Sequence, residues 1–476
     1  MDFLQDRYSA SEHLYFLPIG GTAMAPLACL LAEAGHRVEG VDAQLYPPMS
    51  TLLAELAIPV RLGFDAEAVP AADRVIIGNA VPRTNPEVAA VLSRRLPHLS
   101  QAEAVAHYLL GAGRRGLVVA GTHGKTTTSA LLAWILERCG RDPSYLVGGL
   151  LQWSRRAHRL GAGDWAVLEG DEYNTAFFDR GPKFLHYRPE VFVLGPVELD
   201  HADLYRDLEA VLAAFRAGVA QVPRHGAVVV NGWSDDALRT ARTTSGRVVV
   251  AGAGAGHDVR LVEHRPDSVG CRMVLDVFGR RLEGRSPLAG LHNAQNVAVA
   301  LAAAVVVGVG ADAALAAVAD FPGVARRLEV VGEAAGVTVV DDFAHHPTAL
   351  AATLAAARER WPGRRLVVAF EPRSLSAARR EFEAGYAAAL AAADLVLVVA
   401  PYHRDRLGPT DCLDRSTLAS ALAGRGVPSL MPEAGEDPAE VLAPRLANGD
   451  VVLGCSSGSF AGFHQELLRR LEGGRR

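Results

Sequence analysis

The chain has 476 residues, 50% apolar and 21% charged, enough for about three domains whose cores need no disulfides. A net charge of −5 with no basic block argues against sequence-independent nucleic-acid binding and against an anionic membrane surface. Five scattered cysteines, with no CxxC and no Cys/His cluster, argue against a disulfide framework or a zinc site, and the acid-bearing N-terminus has no signal-peptide core, so a cytoplasmic protein without membrane insertion is expected.

In chain order, YFLPIG (15–20) predicts a strand, 23–34 a helix closed by Gly35, HRVEGVD (36–42) a second strand and RVIIGNA (74–80) a further one. A small open α/β domain therefore ends near GAGRRG (111–116). A second series runs through LVVAGTHGKTTTSALLAWIL, WAVLE (165–169), EVFVLG (190–195), AVVVNG (227–232) and RVVVAG (247–252). The apolar run from Val297 to Ala311, bounded by Asn296 and Asp312, is too short for a membrane span and reads as one buried helix. A third series follows FPGVARRLEVV, with GVTVVDDF (336–343), RRLVVAFEPRS (365–374), ADLVLVVAP (393–401) and GDVVLGCSSGS (449–459). Strands alternating with Ala-rich helices imply helix-covered parallel sheets.

The strongest local signal is the strand, glycine loop and helix around Gly124-Lys125-Thr126. Such a loop cradles phosphates with backbone N–H groups, its Lys reaches the terminal phosphates, and its Thr hydroxyl ligates Mg²⁺. Only two of the 48 basic residues are lysines, Lys125 and Lys183. Arg replaces Lys almost everywhere else, so Lys125 is where a compact ammonium is needed, and Lys183 earns attention by the same logic. WAVLEGDEYN ends a strand in Glu169, followed by Asp171 and Glu172, which reads either as a solvated acidic turn or as a metal-holding strand end. EVFVLGPVELDHADLY repeats the device with Glu198, Asp200 and His201. Two acidic strand ends beside one phosphate loop are what a two-metal phosphoryl-transfer site needs.

GLHNAQN places His292, Asn293 and Asn296 at a helix start, as caps or as contacts to a base. Arg326, Arg327, Asp341, Asp342, His345 and His346 flank the turn into the third series, as interdomain salt bridges or as a nucleotide clamp. At the N-terminus, Gly20 and Gly21 open a helix and Asp42 ends the next strand, a partial dinucleotide fingerprint with Ala23 where the third glycine would stand.

GTHGKTTT, EGDE, DHADLY, GLHNAQN, RRLE and DDFAHHPT, in this order and spacing, resemble the Mur ligases over nearly the whole chain. YPPMST (46–51), DEYNTAFFD (171–179), KFLHY (183–187), EPRS (371–374) and FHQELL (463–468) are similar to the family branch that adds a whole peptide, rather than to the alanine-adding branch. The resemblance implies three domains: an N-terminal Rossmann-like one (1–113) for the UDP-sugar, a central P-loop ATPase-like one (114–321) with a parallel-rich sheet, and a C-terminal Rossmann-like one (322–476) for the peptide. It implies an ATP-dependent ligase of peptidoglycan recycling, joining L-alanyl-γ-D-glutamyl-meso-diaminopimelate to UDP-N-acetylmuramate through an acyl phosphate. Lys125, Glu169 and His201 would be catalytic, with Thr126, Glu169 and His201 holding two Mg²⁺ ions. Gly121, Thr122, His123, Gly124, Thr127, Asn293, Asn296, Arg327, Asp342 and His345 would contact ATP. Gly20, Gly21, Thr22, Asp42 and Asn79 would contact the UDP-sugar, and Lys183 and Arg373 the substrates. Gly195-Pro196 stands where many Mur ligases carry Asn. An alanine-adding ligase and a non-catalytic nucleotide-binding module are the alternative readings.

Overall fold

The computed structural model describes residues 11–200, 204–402, 404–408 and 410–473. Three parallel-rich sheets succeed one another along the chain, each with helices against its faces. The first contains β1 (His13–Leu17), β2 (Arg37–Asp42), β3 (Val60–Leu62), β4 (Arg74–Ile77) and β5 (His98–Ser100), all parallel in the order β3-β2-β1-β4-β5. In β1, Leu14 and Phe16 enter one core while Tyr15 and Leu17 enter the core on the opposite face. Burial on both faces is why the strand reads as an apolar run and not as an alternation.

The central unit starts with β6 (Arg115–Ala120), β7 (Ser144–Leu146), β8 (His158–Arg159) and β9 (Trp165–Glu169). A small hairpin of β10 (Asn174–Ala176) and β11 (Asp179–Pro182) stands apart from the main sheet. The sheet is completed by β12 (Val191–Leu194), β13 (Ala227–Asn231), β14 (Arg247–Gly252), β15 (Val259–Asp267), β16 (Gly270–Val277) and β17 (Arg280–Ser286), in the order β17-β16-β15-β14-β13-β12-β6-β9-β7-β8. The stretch from β14 to β7 is parallel, as the Val-rich runs predict.

The antiparallel arm β15-β16-β17 is a departure from that expectation. Its middle strand buries Cys271, Met273, Leu275 and Val277 in the core that also receives the helix Leu291–Val306, while Arg272 stays exposed. A half-wet sheet is one that antiparallel pairing tolerates and parallel pairing seldom does. The apolar run Val297–Ala311 also departs, because it is two helices and not one. The first, Leu291–Val306, ends before Gly308, whose φ of +86° lies in the left-handed region, and a second runs over Ala311–Val318. A glycine in that conformation closes a helix at no steric cost.

The third sheet contains β18 (Glu329–Ala334), β19 (Val337–Asp342), β20 (Leu366–Glu371), β21 (Leu395–Val398), β22 (Ser429–Leu430) and β23 (Val451–Ser456). Its order is β18-β19-β23-β20-β21-β22, parallel except for β18. The first and central units share one continuous apolar core, whereas the third has two further ones, the larger of which also takes in Ala289 of the central unit. In the central sheet β6 lies between β12 and β9, with connections leaving to both sides. The carboxyl ends of those three strands border the crevice at this switch point, where open α/β sheets bind ligands.

Candidate active site

Lys125 opens the helix Lys125–Arg138 immediately after the glycine loop. Its Nζ donates to the carbonyls of Gly121 at 2.8 Å and Thr122 at 3.4 Å, and pairs with the Glu172 carboxylate at 2.8 and 3.1 Å. Burial works to lower the ammonium pKa, but Glu172 and Asp171 outweigh it and hold the group above its ordinary value. Glu172 is therefore the counter-charge of Lys125, a role that neither sequence reading of this segment, acidic turn or metal-holding strand end, gave it. The other lysine meets the same turn, since Lys183 is buried with Nζ 3.3 Å from Asp171.

Glu169, the last residue of β9, accepts from the Thr126 hydroxyl at 2.9 Å and from the Gly148 N–H at 2.6 Å. Burial first, then repulsion from Asp171, pushes its carboxyl above the ordinary value, with Lys125 partly opposing. Arg327 arrives from the third unit and donates to the same Thr126 hydroxyl at 3.2 Å. Its neighbour Arg326 turns the other way, binding Asp341 at 3.2 Å, the carbonyl of Ser456 at 2.6 Å and the carbonyl of Gly458. The Arg pair thus divides into one internal brace and one charge delivered to the end of the glycine loop. His201, the third metal-ligand candidate, lies outside the described residues.

Asn296 packs directly under the loop, and its Nδ2 donates to Asn293 at 3.2 Å. Neither is the helix cap, since that position belongs to Gly290. Gly124 has φ of +77°, and a Cβ there would stand 2.5 Å from Asn296 Oδ1. Gly124→Ala should therefore destabilise the protein by about 1–3 kcal/mol, from left-handed strain plus the clash. Chemical denaturation read in the far-ultraviolet would check this, and unchanged stability would refute the tight packing of loop on amide. Gly121 and Gly195 meet in the same way, a Cβ on Gly121 reaching within 2.8 Å of Gly195 Cα. Thr122 N–H donates to the Pro196 carbonyl at 2.7 Å, so Gly195-Pro196 supports the loop by backbone contact.

Asp342, at the end of β19, spends its oxygens on the N–H groups of Leu328 and Ala344, both at 2.8 Å, and on the Thr353 hydroxyl at 3.2 Å. It shapes the turn that carries Arg327, and burial keeps its pKa above the ordinary value. His345 is half-buried beside Phe343, and Thr127 is buried in the helix's first turn.

Sequence reasoning missed the partners of Glu198. Its backbone N–H donates to the Thr122 hydroxyl at 3.0 Å, and its carboxylate accepts from the Thr348 hydroxyl of the third unit at 2.8 Å. His123 from the phosphate loop stands 3.5 Å away, and pairing with that histidine, against burial, brings the carboxyl down to about 2. These contacts join residues far apart in the chain, so no local spacing announces them.

Gly20, Gly21, Thr22, Asp42 and Asn79 gather at the carboxyl edge of the first sheet. Asp42 Oδ2 accepts from the Gly20 N–H at 2.8 Å, fixing the glycine turn, while Thr22 and Asn79 are exposed. Arg373 stands beyond β20, 3.4 Å from Glu371 and stacked 4.1 Å over the Tyr402 ring. Neither group contacts Lys125 or Glu169; both lie on sheets flanking the central crevice.

Comparison with known proteins agrees with this layout. Residues 13–111 match the Mur ligase family catalytic domain, 119–304 the Mur ligase middle domain, and 326–458 the Mur ligase glutamate ligase domain. The chain is 38% identical over 467 residues to the UDP-N-acetylmuramate–L-alanyl-γ-D-glutamyl-meso-2,6-diaminoheptandioate ligase of Escherichia coli K12, covering 96% of this chain and 97% of that one. It is 34% identical to the UDP-N-acetylmuramate–L-alanine ligase of Burkholderia cenocepacia, covering 97% and 98%. Among solved structures, a murein peptide ligase from Psychrobacter arcticus superposes with a TM-score of 0.75 at 30% identity, covering 97% of this chain and 99% of that one. The UDP-N-acetylmuramate–alanine ligase of Thermotoga maritima superposes at 0.80 with 22% identity, covering 97% and 100%, and shows the fold alone.

Proposed function

The chain belongs to the Mur ligase family of ATP-dependent amide-forming enzymes, and from that premise we propose that it joins L-alanyl-γ-D-glutamyl-meso-diaminopimelate to the lactyl carboxylate of UDP-N-acetylmuramate. The observation that carries the chemistry is the meeting of Lys125, the Thr126–Glu169 pair and Arg327 at one sheet edge. The choice of substrate is supported by the higher identity to the peptide-adding relative, 38% against 34%.

The three units, taken as 1–113, 114–321 and 322–476, would hold the UDP-sugar, ATP and the peptide. Gly20, Gly21, Thr22, Asp42 and Asn79 would face the UDP-sugar, and Gly121 to Thr127 the phosphates. Lys125 exchanges Glu172 for the β- and γ-phosphates, a contact for which a compact ammonium with three donors is suited. Asn293 and Asn296 would approach the base, with Arg327 crossing from the third unit onto the phosphates and Asp342 and His345 completing the clamp. Lys183 and Arg373 would contact the substrates.

Thr126, Glu169 and His201 are the residues that would hold Mg²⁺, two ions sharing Glu169. A hydroxyl and a buried carboxylate, hydrogen-bonded to each other at 2.9 Å, are hard oxygen donors that suit this ion. When bound, such ions neutralise the charge between γ-phosphate and incoming carboxylate.

The lactyl carboxylate attacks the γ-phosphorus of ATP, releasing ADP and leaving an acyl phosphate. The peptide amine then attacks the acyl carbon, the C–O bond to phosphate breaks, and the amine gives up its proton. Closing the third unit keeps water from the acyl phosphate. No helix among the described residues is long and apolar enough to cross a membrane, and the cytoplasm is the compartment that goes with these substrates.

A second reading, ligation of L-alanine, is favoured by the 34% identity to the Burkholderia cenocepacia alanine ligase. Phosphate release measured with UDP-N-acetylmuramate separates the two. We expect turnover with the tripeptide and poor turnover with L-alanine. Equal or better turnover with L-alanine would replace the peptide reading, and no substrate-dependent release would leave a nucleotide-binding module.

A further inference from the structure

We propose that His123, Glu198 and His346 form a site for a first-row transition ion of the Zn²⁺ class, bridging the phosphate loop to the third unit. The sequence argued against zinc because it lacks Cys/His spacing, but these three donors come from three separate segments. One ligand atom of each lies within 4.8 Å of the other two. Glu198 Oε2 is 3.5 Å from His123 Nε2 and 3.9 Å from His346 Nδ1, and the two imidazole rings stand 5.0 Å apart.

The second observation is what the His123 imidazole lacks. Among the described residues, Nε2 of His123, the nitrogen that faces Glu198, is buried with no partner in hydrogen-bonding geometry. A buried polar atom left unsatisfied is costly, and an ion between His123 and Glu198 would satisfy this one. Two imidazoles and a carboxylate are the protein donors of open zinc sites, with the fourth position left to water. Nitrogen donors select this class of ion over Mg²⁺, so the cluster differs in kind from the oxygen pair Thr126–Glu169. Tetrahedral ligands at ~2.0–2.1 Å lie about 3.4 Å apart, so closure asks for small side-chain rotations only.

Such an ion would fasten His123, two residues before Lys125, to the start of the helix Pro347–Arg360. It would tie the third unit to the loop.

The test titrates the chelator-stripped full-length protein with Co²⁺, the visible-absorbing stand-in for Zn²⁺. We expect one equivalent with the intense bands of tetrahedral coordination. His346→Asn keeps a side-chain acceptor for the Thr348 N–H, which His346 Nδ1 now accepts at 3.4 Å, but removes the imidazole. Binding should weaken at least ~10-fold in this variant, the smallest loss expected even for an outer-shell partner. Glu198→Gln should behave alike and decides the matter if His346→Asn does not fold by circular dichroism. Absence of the tetrahedral bands in wild type, or wild-type affinity in a folded variant, would overturn the proposal.

Discussion

Lys125→Arg should lower turnover at least ~100-fold, the scale of losing one charge contact in the transition state. The substitution keeps a cation opposite Glu172, which is 4% exposed, so it avoids the uncompensated buried charge that Lys125→Ala would leave. What it changes is shape. Lys125 Nζ fits among two loop carbonyls and a carboxylate, a pocket for a point charge and not for a planar fork. Steady-state phosphate release on a variant with wild-type circular dichroism checks this, and near-normal turnover would refute the phosphate-loop assignment.

Glu169→Gln should cost more, ~1,000-fold or beyond, at the upper end for one electrostatic contact. The Gln oxygen can still accept from the Gly148 N–H and its amide can donate to a turned Thr126 hydroxyl, so the local fold should persist while the negative charge goes. The loss should fall on the first step. Hydroxylamine added without peptide traps the acyl phosphate as a hydroxamate in wild type, and the variant should yield almost none. A variant that forms hydroxamate normally, yet fails to make the amide, would move Glu169 out of the phosphoryl-transfer step.

The parallel strands were legible because burial on both faces leaves an apolar run bounded by turns. WAVLE and RVVVAG coincide with β9 and β14 for that reason. The arm β15-β16-β17 was not, since its half-solvated strands mix Arg, Glu and Val with no clean period. The run 297–311 hid a break, because Gly308 and Gly310 sit among so many Ala and Val residues that the stretch reads as unbroken. At the site, the loop, Glu169 and Arg327 were legible as local patterns. The Lys125–Glu172 pair, the turn-shaping role of Asp342 and the cluster around Glu198 were not, because each depends on contacts that only the tertiary fold creates.

The scarcity of lysine has a consequence for self-inflicted damage. An activated acyl group acylates any free amine within reach, and in this chain the only amine side chains are Lys125 and Lys183. Both face carboxylates of one turn, Glu172 and Asp171, and Lys125 is held as an ammonium there, as it would be against the phosphates that displace Glu172, so its nitrogen has no lone pair to attack with. The surface is furnished with guanidinium groups, which stay protonated and are poor nucleophiles. The protein thus offers its own reactive product almost no suicide target. Mass spectrometry of enzyme run to exhaustion without peptide should find no muramyl adduct on either lysine, and an adduct on Lys125 would show that the carboxylate pairing does not protect it.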